Sequence, residues 1–197
     1  MKNNLTSLFA NRDFIRTFIG LDFTDSQKKF IYSQKSAISS KLDEKIIWES
    51  AEKYHITLKF IGKTDINLLN QIINILKKAS CKFNKFTCEI GLNFGTFPNM
   101  IHPKILWLGY KDEKNCAALI SNYFNIELEK CGIASENKNF CPHITLGKIN
   151  KNFNLNLSEI ETVKNSQPEK MIVEINKITL FQSVDSKYKK ILESMIS

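Results

Sequence analysis

Tyr54-His55-Ile56-Thr57-Leu58-Lys59 and Pro142-His143-Ile144-Thr145-Leu146-Gly147 are nearly the same sequence written twice. Each run is rich in β-branched and apolar residues, the composition of a strand. Side chains alternate across a strand, so His55 and Thr57 share one face while Ile56 and Leu58 take the other. His143 and Thr145 are divided from Ile144 and Leu146 in the same way. The chain has only 3 histidines, and two of them stand in this setting. One such strand in each half predicts an internal duplication.

The flanking sequence supports the repeat. Phe14–Phe23 is a strand pattern, followed by a helix from Thr24 or Asp25 to about Lys41. Ile46–Trp48 is a short strand, and Tyr54–Ile61 is the first motif strand, ended by Gly62. Thr64 or Asp65 opens a helix whose apolar face carries Leu68, Leu69, Ile72, Ile73, Ile75 and Leu76. Phe83–Phe94 and Ile105–Tyr110 are strands, and a third helix, about Glu113–Lys130, is stopped by Gly132. The second motif strand is Phe140–Ile149. An amphipathic segment at 155–163 and two strands, Met171–Phe181 and about Lys187–Leu192, complete the chain. The order strand, helix, strand, strand occurs twice, which defines the class as α+β. Residues 1–12 are expected to be a polar, Asn-rich leader, and residues 13–197 a single domain of two similar lobes.

Composition narrows the partners. The 197 residues carry 28 basic and 20 acidic side chains, a net charge of +8. Such a balance favours polyanions such as RNA, through association rather than fold. The 5 cysteines form no C-x-x-C pair and no ligand spacing with the histidines, which suits a reducing cytosol. No stretch approaches ~20 apolar residues, so no membrane span is expected. No obligate protein partner is evident.

Two imidazoles facing one cleft can hold opposite protonation states near neutral pH, one taking a proton while the other gives one. The Thr two residues along sets a hydroxyl beside each ring. Together they suit a phosphodiester: one His activates water, the other protonates the leaving alkoxide, and the hydroxyls hold the non-bridging oxygens. Neither a metal nor another cofactor is required.

At these residues the chain resembles the two-histidine (2H) phosphoesterases, and within them the RNA 2′,3′-cyclic phosphodiesterases, also called 2′-5′ RNA ligases. The resemblance runs through Arg16–Asp22, Ile47-Trp48, His55–Gly62, Gly95–Pro98, Lys104–Gly109, Phe140–Leu146 and Leu180–Ser183. One H-x-T carries little information; two in matching strands, flanked by these blocks in order, carry much. The resemblance implies a bilobal α+β fold, with antiparallel sheets lining a central cleft and helices packed outside. It also implies hydrolysis of a terminal 2′,3′-cyclic phosphate to a 2′-phosphomonoester. His55 would be the proton donor, His143 the proton acceptor, and Thr57 and Thr145 would hold the phosphate. RNA with cyclic phosphate ends, tRNA fragments among it, would be the partner, in the cytoplasm. Alternatives are an RNA-end-binding module without efficient turnover, or an enzyme acting on a small cyclic phosphate or a 2′-5′ linkage.

The chain departs from the family pattern twice, with Cys141 before Pro142 and with Lys148 where Arg is common. Lys binds phosphate as a point charge, without the guanidinium fork. Both Lys59 and Lys148 are candidate substrate-binding residues. On a regular strand Lys59 shares the His55 face, while Lys148 points away from the His143 face. Trp48, Phe60, Phe97 and Trp107 are aromatics that could stack on a base or fill the core.

Overall fold

The computed structural model describes residues 13–136 and 139–196. The leader expected over residues 1–12 lies outside them. β1 (Phe14–Asp22) alternates as its sequence requires. Ile15, Thr17, Ile19 and Leu21 are buried on one face, leaving Phe14, Arg16, Phe18, Gly20 and Asp22 on the other. Thr24 then caps α1 (Asp25–Gln34): its hydroxyl accepts from Gln27 N, and Gln27 Oε1 accepts from Thr24 N.

The single helix expected to about Lys41 is two. α2 (Ser36–Leu42) begins just after the Lys35 cap of α1. The Ser33 and Ser36 hydroxyls donate to Phe30 O and Ser33 O at 2.7 Å each, competing with the main-chain ladder at the break. β2 (Ile46–Trp48) and β3 (His55–Asp65) follow. Gly62 does not end β3. It lies within the strand at a φ of 78°, beside an extra residue, Ile61, that has no register partner on β1. Glycine accommodates this left-handed conformation without a Cβ penalty.

Asp65 caps α3 (Ile66–Lys82), its carboxylate accepting from Asn67 N at 2.8 Å. Leu69, Ile72, Ile73, Leu76 and Ala79 of α3 are buried at helical spacing. Each large side chain among them contributes about 2 kcal/mol through removal from water. β4 (Phe86–Phe97), β5 (Ile105–Lys111), α4 (Cys116–Glu129), β6 (His143–Ile149) and α5 (Leu157–Asn165) come next. The last strands are β7 (Met171–Ile175), β8 (Lys177–Val184) and β9 (Lys187–Met195).

The apolar run Met171–Phe181 is therefore two strands, divided at Asn176. β7 pairs with β4 near one end of the sheet and β8 with β1 near the other, so this segment carries the chain from one lobe to the other. All pairings are antiparallel, in the order β7-β4-β5-β6-β3-β1-β8-β9, with β2 added to β6. Helices α3 and α4 back the β3-β1-β8-β9 lobe, while α5, with α2 packed on it, backs β4 of the other lobe. This is the expected duplicated α+β architecture. The lobes meet where β3 and β6 touch, through the single residue pair Ile56–Ile144, both fully buried.

Candidate active site

That one pair positions the chemistry. Because it is antiparallel, His55 lies alongside Thr145 and Thr57 alongside His143, all four on the face opposite the buried isoleucines. Beyond the pair the strands separate, opening a cavity of about 590 Å³ whose walls include Thr57, Phe60, Phe97, Lys104, Ile105 and His143.

The imidazoles are held alike. His55 Nδ1 lies 2.6 Å from Lys53 O, and His143 Nδ1 lies 2.8 Å from Cys141 O. A carbonyl only accepts, so each Nδ1 carries hydrogen, and each Nε2 of the neutral ring keeps its lone pair. Thr57 Oγ1 lies 3.0 Å from His55 Nε2 and can donate to it. Burial, the largest influence, pushes His55 down to about 4; the Lys53 carbonyl and Asp22 act against it, while His143 and Lys28 reinforce it. Burial also lowers His143, against the pull of the Cys141 carbonyl.

Their surroundings differ. His55 is packed by Phe18, Phe181 and Tyr188, with ring centroids at 4.8, 5.6 and 5.3 Å. Gly20 lets the imidazole approach β1: a Cβ there would stand 2.8 Å from Ile56 O and 3.3 Å from His55 Cδ2. The partner of His55 in the register is Asp22, nearly inaccessible, with Lys28 Nζ on Oδ1 and Lys190 Nζ on Oδ2, both at 2.6 Å. Burial pushes the Asp22 carboxyl up, yet Lys190 and Lys28 hold it below the usual range. The corresponding partner of His143 is Gly109. Phe97 stands edge-on to His143 at 4.7 Å, with Trp107 at 6.4 Å.

Both motif strands bulge at the same motif position. Register passes from Gly20–Thr57 to Ile19–Lys59, and from Trp107–Thr145 to Leu106–Gly147, so Leu58 and Leu146 are extra residues. A bulge reverses the alternation that follows it. Lys59, expected on the His55 face, is turned inward at 1% exposure. Its ammonium donates to Ala134 O at 2.9 Å and lies 3.7 Å from Glu136. Phe60 takes the open face instead, 62% exposed. Lys148, expected to point away from His143, pairs in register with the cavity residue Ile105 and so comes onto the open face. It lies 3.6 Å from Glu49.

Among the other candidates, Trp48 packs against the core, whereas Phe60, Phe97 and Trp107 lie around the histidines. Among the described residues, no group of three or more His, Cys, Asp or Glu could hold a metal ion. Sequence reasoning misses Phe18, Asp22 and Tyr188. The alternation of β1 puts Phe18 and Asp22 on one face, but only the β1–β3 register aligns that face with His55.

The residues 28–107 match the family model described as LigT like Phosphoesterase. A Thermotoga maritima protein named RNA 2′,3′-cyclic phosphodiesterase is 33% identical over 138 residues, covering 68% of this chain and 70% of that one. A protein of the same name from Aquifex aeolicus is 29% identical over 176 residues, covering 86% and 88%. Among solved structures, TT0787 of Thermus thermophilus superposes with a TM-score of 0.73 at 14% identity, covering 92% of this chain and 98% of that one. E. coli LigT complexed with 3′-AMP gives 0.71 at 16%, covering 93% and 99%. The chain belongs to the LigT-like phosphoesterase family.

Proposed function

We infer that this chain is an RNA 2′,3′-cyclic phosphodiesterase that opens a terminal cyclic phosphate to a 2′-phosphomonoester. The relatives of that name, similar over most of the chain, support the reaction. The observation that carries the mechanism is the matched tethering of Nδ1: with both rings bonded to main-chain carbonyls, both Nε2 atoms remain for proton transfer. Water attacks phosphorus and gives its proton to His143 Nε2. The P–O3′ bond breaks, and O3′ takes a proton from His55 Nε2. Thr57 and Thr145 donate to the non-bridging oxygens, and the scheme calls on no metal or cofactor.

In the empty site burial favours two neutral rings. A bound phosphodiester anion favours protonation of an imidazole beside it, so the acidic proton is held most firmly when substrate is present. Lys148 is the cation we assign to the phosphate, while Lys59 holds the loop at Ala134 and Glu136. We extend the reading to residues 13–197 as one catalytic domain, to tRNA fragments as substrates, and to work in the cytoplasm. Among the described residues no helix is long and apolar enough to cross a membrane.

The test is to incubate the purified protein and excess chelator with a short RNA ending in a 2′,3′-cyclic phosphate, then identify the terminal phosphate. A 2′-phosphomonoester is expected. An unchanged end, with binding retained, would favour an RNA-end-binding module.

A further inference from the structure

The open face of the β1–β3 pair continues well past the histidines. From Asp22–His55 the register passes to Gly20–Thr57, then Phe18–Phe60, then Arg16–Lys63, then Phe14–Asp65 at the start of β1, where the Asp65 carboxylate is turned to capping α3. All the β1 members lie at even positions of one unbulged strand, hence on one face. Six residues separate Asp22 from Arg16, about 20 Å at about 3.3 Å each.

This stretch has unusual content for a solvent-facing surface. Phe60 and Phe14 are 62% and 46% exposed. Arg16 and Lys63 are exposed between them, and neither is in a salt bridge among the described residues. Lys63 Nζ lies 3.9 Å from the centroid of the Phe14 ring. Phe60 also borders the cavity that holds Thr57 and His143. Aromatic faces alternating with cations are what a single-stranded nucleic acid needs, because bases stack on the rings and phosphates meet the cations.

We propose that Phe60, Arg16, Lys63 and Phe14 form a track for the RNA strand upstream of the reacting terminal nucleotide, making the enzyme selective for oligonucleotides over cyclic mononucleotides. This rests on the function proposed above. Each two-residue step along β1 spans about 6.6 Å, comparable to the spacing of neighbouring phosphates in an extended strand. The charge agrees with the ligand, as the chain carries +8 overall. The track is also continuous with the cavity, so a strand whose terminal phosphate sits between the histidines can lie along it.

The test compares wild type with the double variant Arg16→Gln/Lys63→Gln and with Phe14→Ala, on a 2′,3′-cyclic mononucleotide and on a tetranucleotide ending in the same cyclic phosphate. Wild type is expected to prefer the tetranucleotide. The variants should lose about tenfold or more in kcat/KM on it while keeping mononucleotide turnover. A second arm measures binding of a tetranucleotide ending in a 2′-phosphate, which needs no turnover. There the double variant should flatten the slope of log affinity against log salt by about 1.4, at about 0.7 for each phosphate no longer neutralised by a cation. Equal loss on both substrates, no wild-type preference for length, or unchanged product binding in the variants would each overturn the track. Failure of wild type to open either cyclic phosphate would overturn the catalytic reading, and the binding arm would then decide the track by itself.

Discussion

Asp22 stands directly across the β1–β3 register from His55, whereas the corresponding partner of His143 is Gly109. The duplicated motifs are thus electrostatically unequal. A buried carboxylate, itself bridged by Lys28 and Lys190, favours the imidazolium at His55. Lys28 and His143 oppose it, and Lys53, Tyr188, Glu49 and Glu193 are further ionisable groups around this end of the site. Asp22→Asn should lower the His55 pKa further, and Lys28→Met should raise it, while His143 stays put. Titration of the imidazole resonances by NMR reads both directions; equal shifts at both histidines would mean a general structural change instead.

Replacing either His55 or His143 with Ala should cut cyclic phosphate hydrolysis by at least about 10². Thr57→Val and Thr145→Val should cost about tenfold each, the loss of one hydrogen bond to a charged oxygen. Steady-state kinetics with circular dichroism as a folding control checks this. Full activity in both histidine variants would remove the mechanism.

The acid–base pair also sets a pH profile. One imidazole must be protonated to act, and in the free enzyme both are held below the usual 6.5. The alkaline limb of kcat/KM should therefore fall below pH 6.5. The limb of kcat should lie higher, because the bound phosphate anion favours the imidazolium. Coincident limbs would mean that the phosphate does not sit beside the acid.

Stability follows the same groups. His55 is lowered to about 4, so its contribution is fully present above pH 6.5 and disappears as pH falls from there through about 4. The loss should approach about 3 kcal/mol, at about 1.4 kcal/mol per pH unit. Denaturant unfolding from pH 7 to pH 4 should show a steeper decline for wild type than for His55→Asn.

The two lysines after the motifs should behave oppositely. Lys59→Met removes a buried ammonium from Ala134 O and should cost about 2 kcal/mol of stability. Lys148 is largely exposed, so Lys148→Ala should leave the melting temperature nearly unchanged and raise KM in a salt-sensitive way. Thermal melts beside salt-dependent kinetics separate the roles.

Much of the fold and site is legible in the sequence because it depends on local alternation. The division of His55 and Thr57 from Ile56 and Leu58 needs only a strand, and the same pattern at His143 announces the duplication. The helix start at Thr24 and the apolar face of α3 likewise need only neighbours within a few residues. Alternation misplaces Lys59 and Lys148 once it is carried past Leu58 and Leu146. A bulge there is a property of the pairing with Ile19–Gly20 and Leu106–Trp107, not of the motif strand alone. Met171–Phe181 reads as one strand for a similar reason: its apolar residues satisfy two sheet positions, and only the partners β4 and β1 separate them at Asn176.

The sequence by itself determined the residue types of the site and the faces they occupy up to each bulge, since both follow from local chemistry and a two-residue period. The tertiary structure alone decided which strands meet at Ile56–Ile144, that Asp22 lies opposite His55, and that Lys59 is buried against Ala134 while Lys148 comes to the exposed face. Those outcomes depend on register between strands far apart in the chain, where a shift of one residue exchanges the two faces of a sheet.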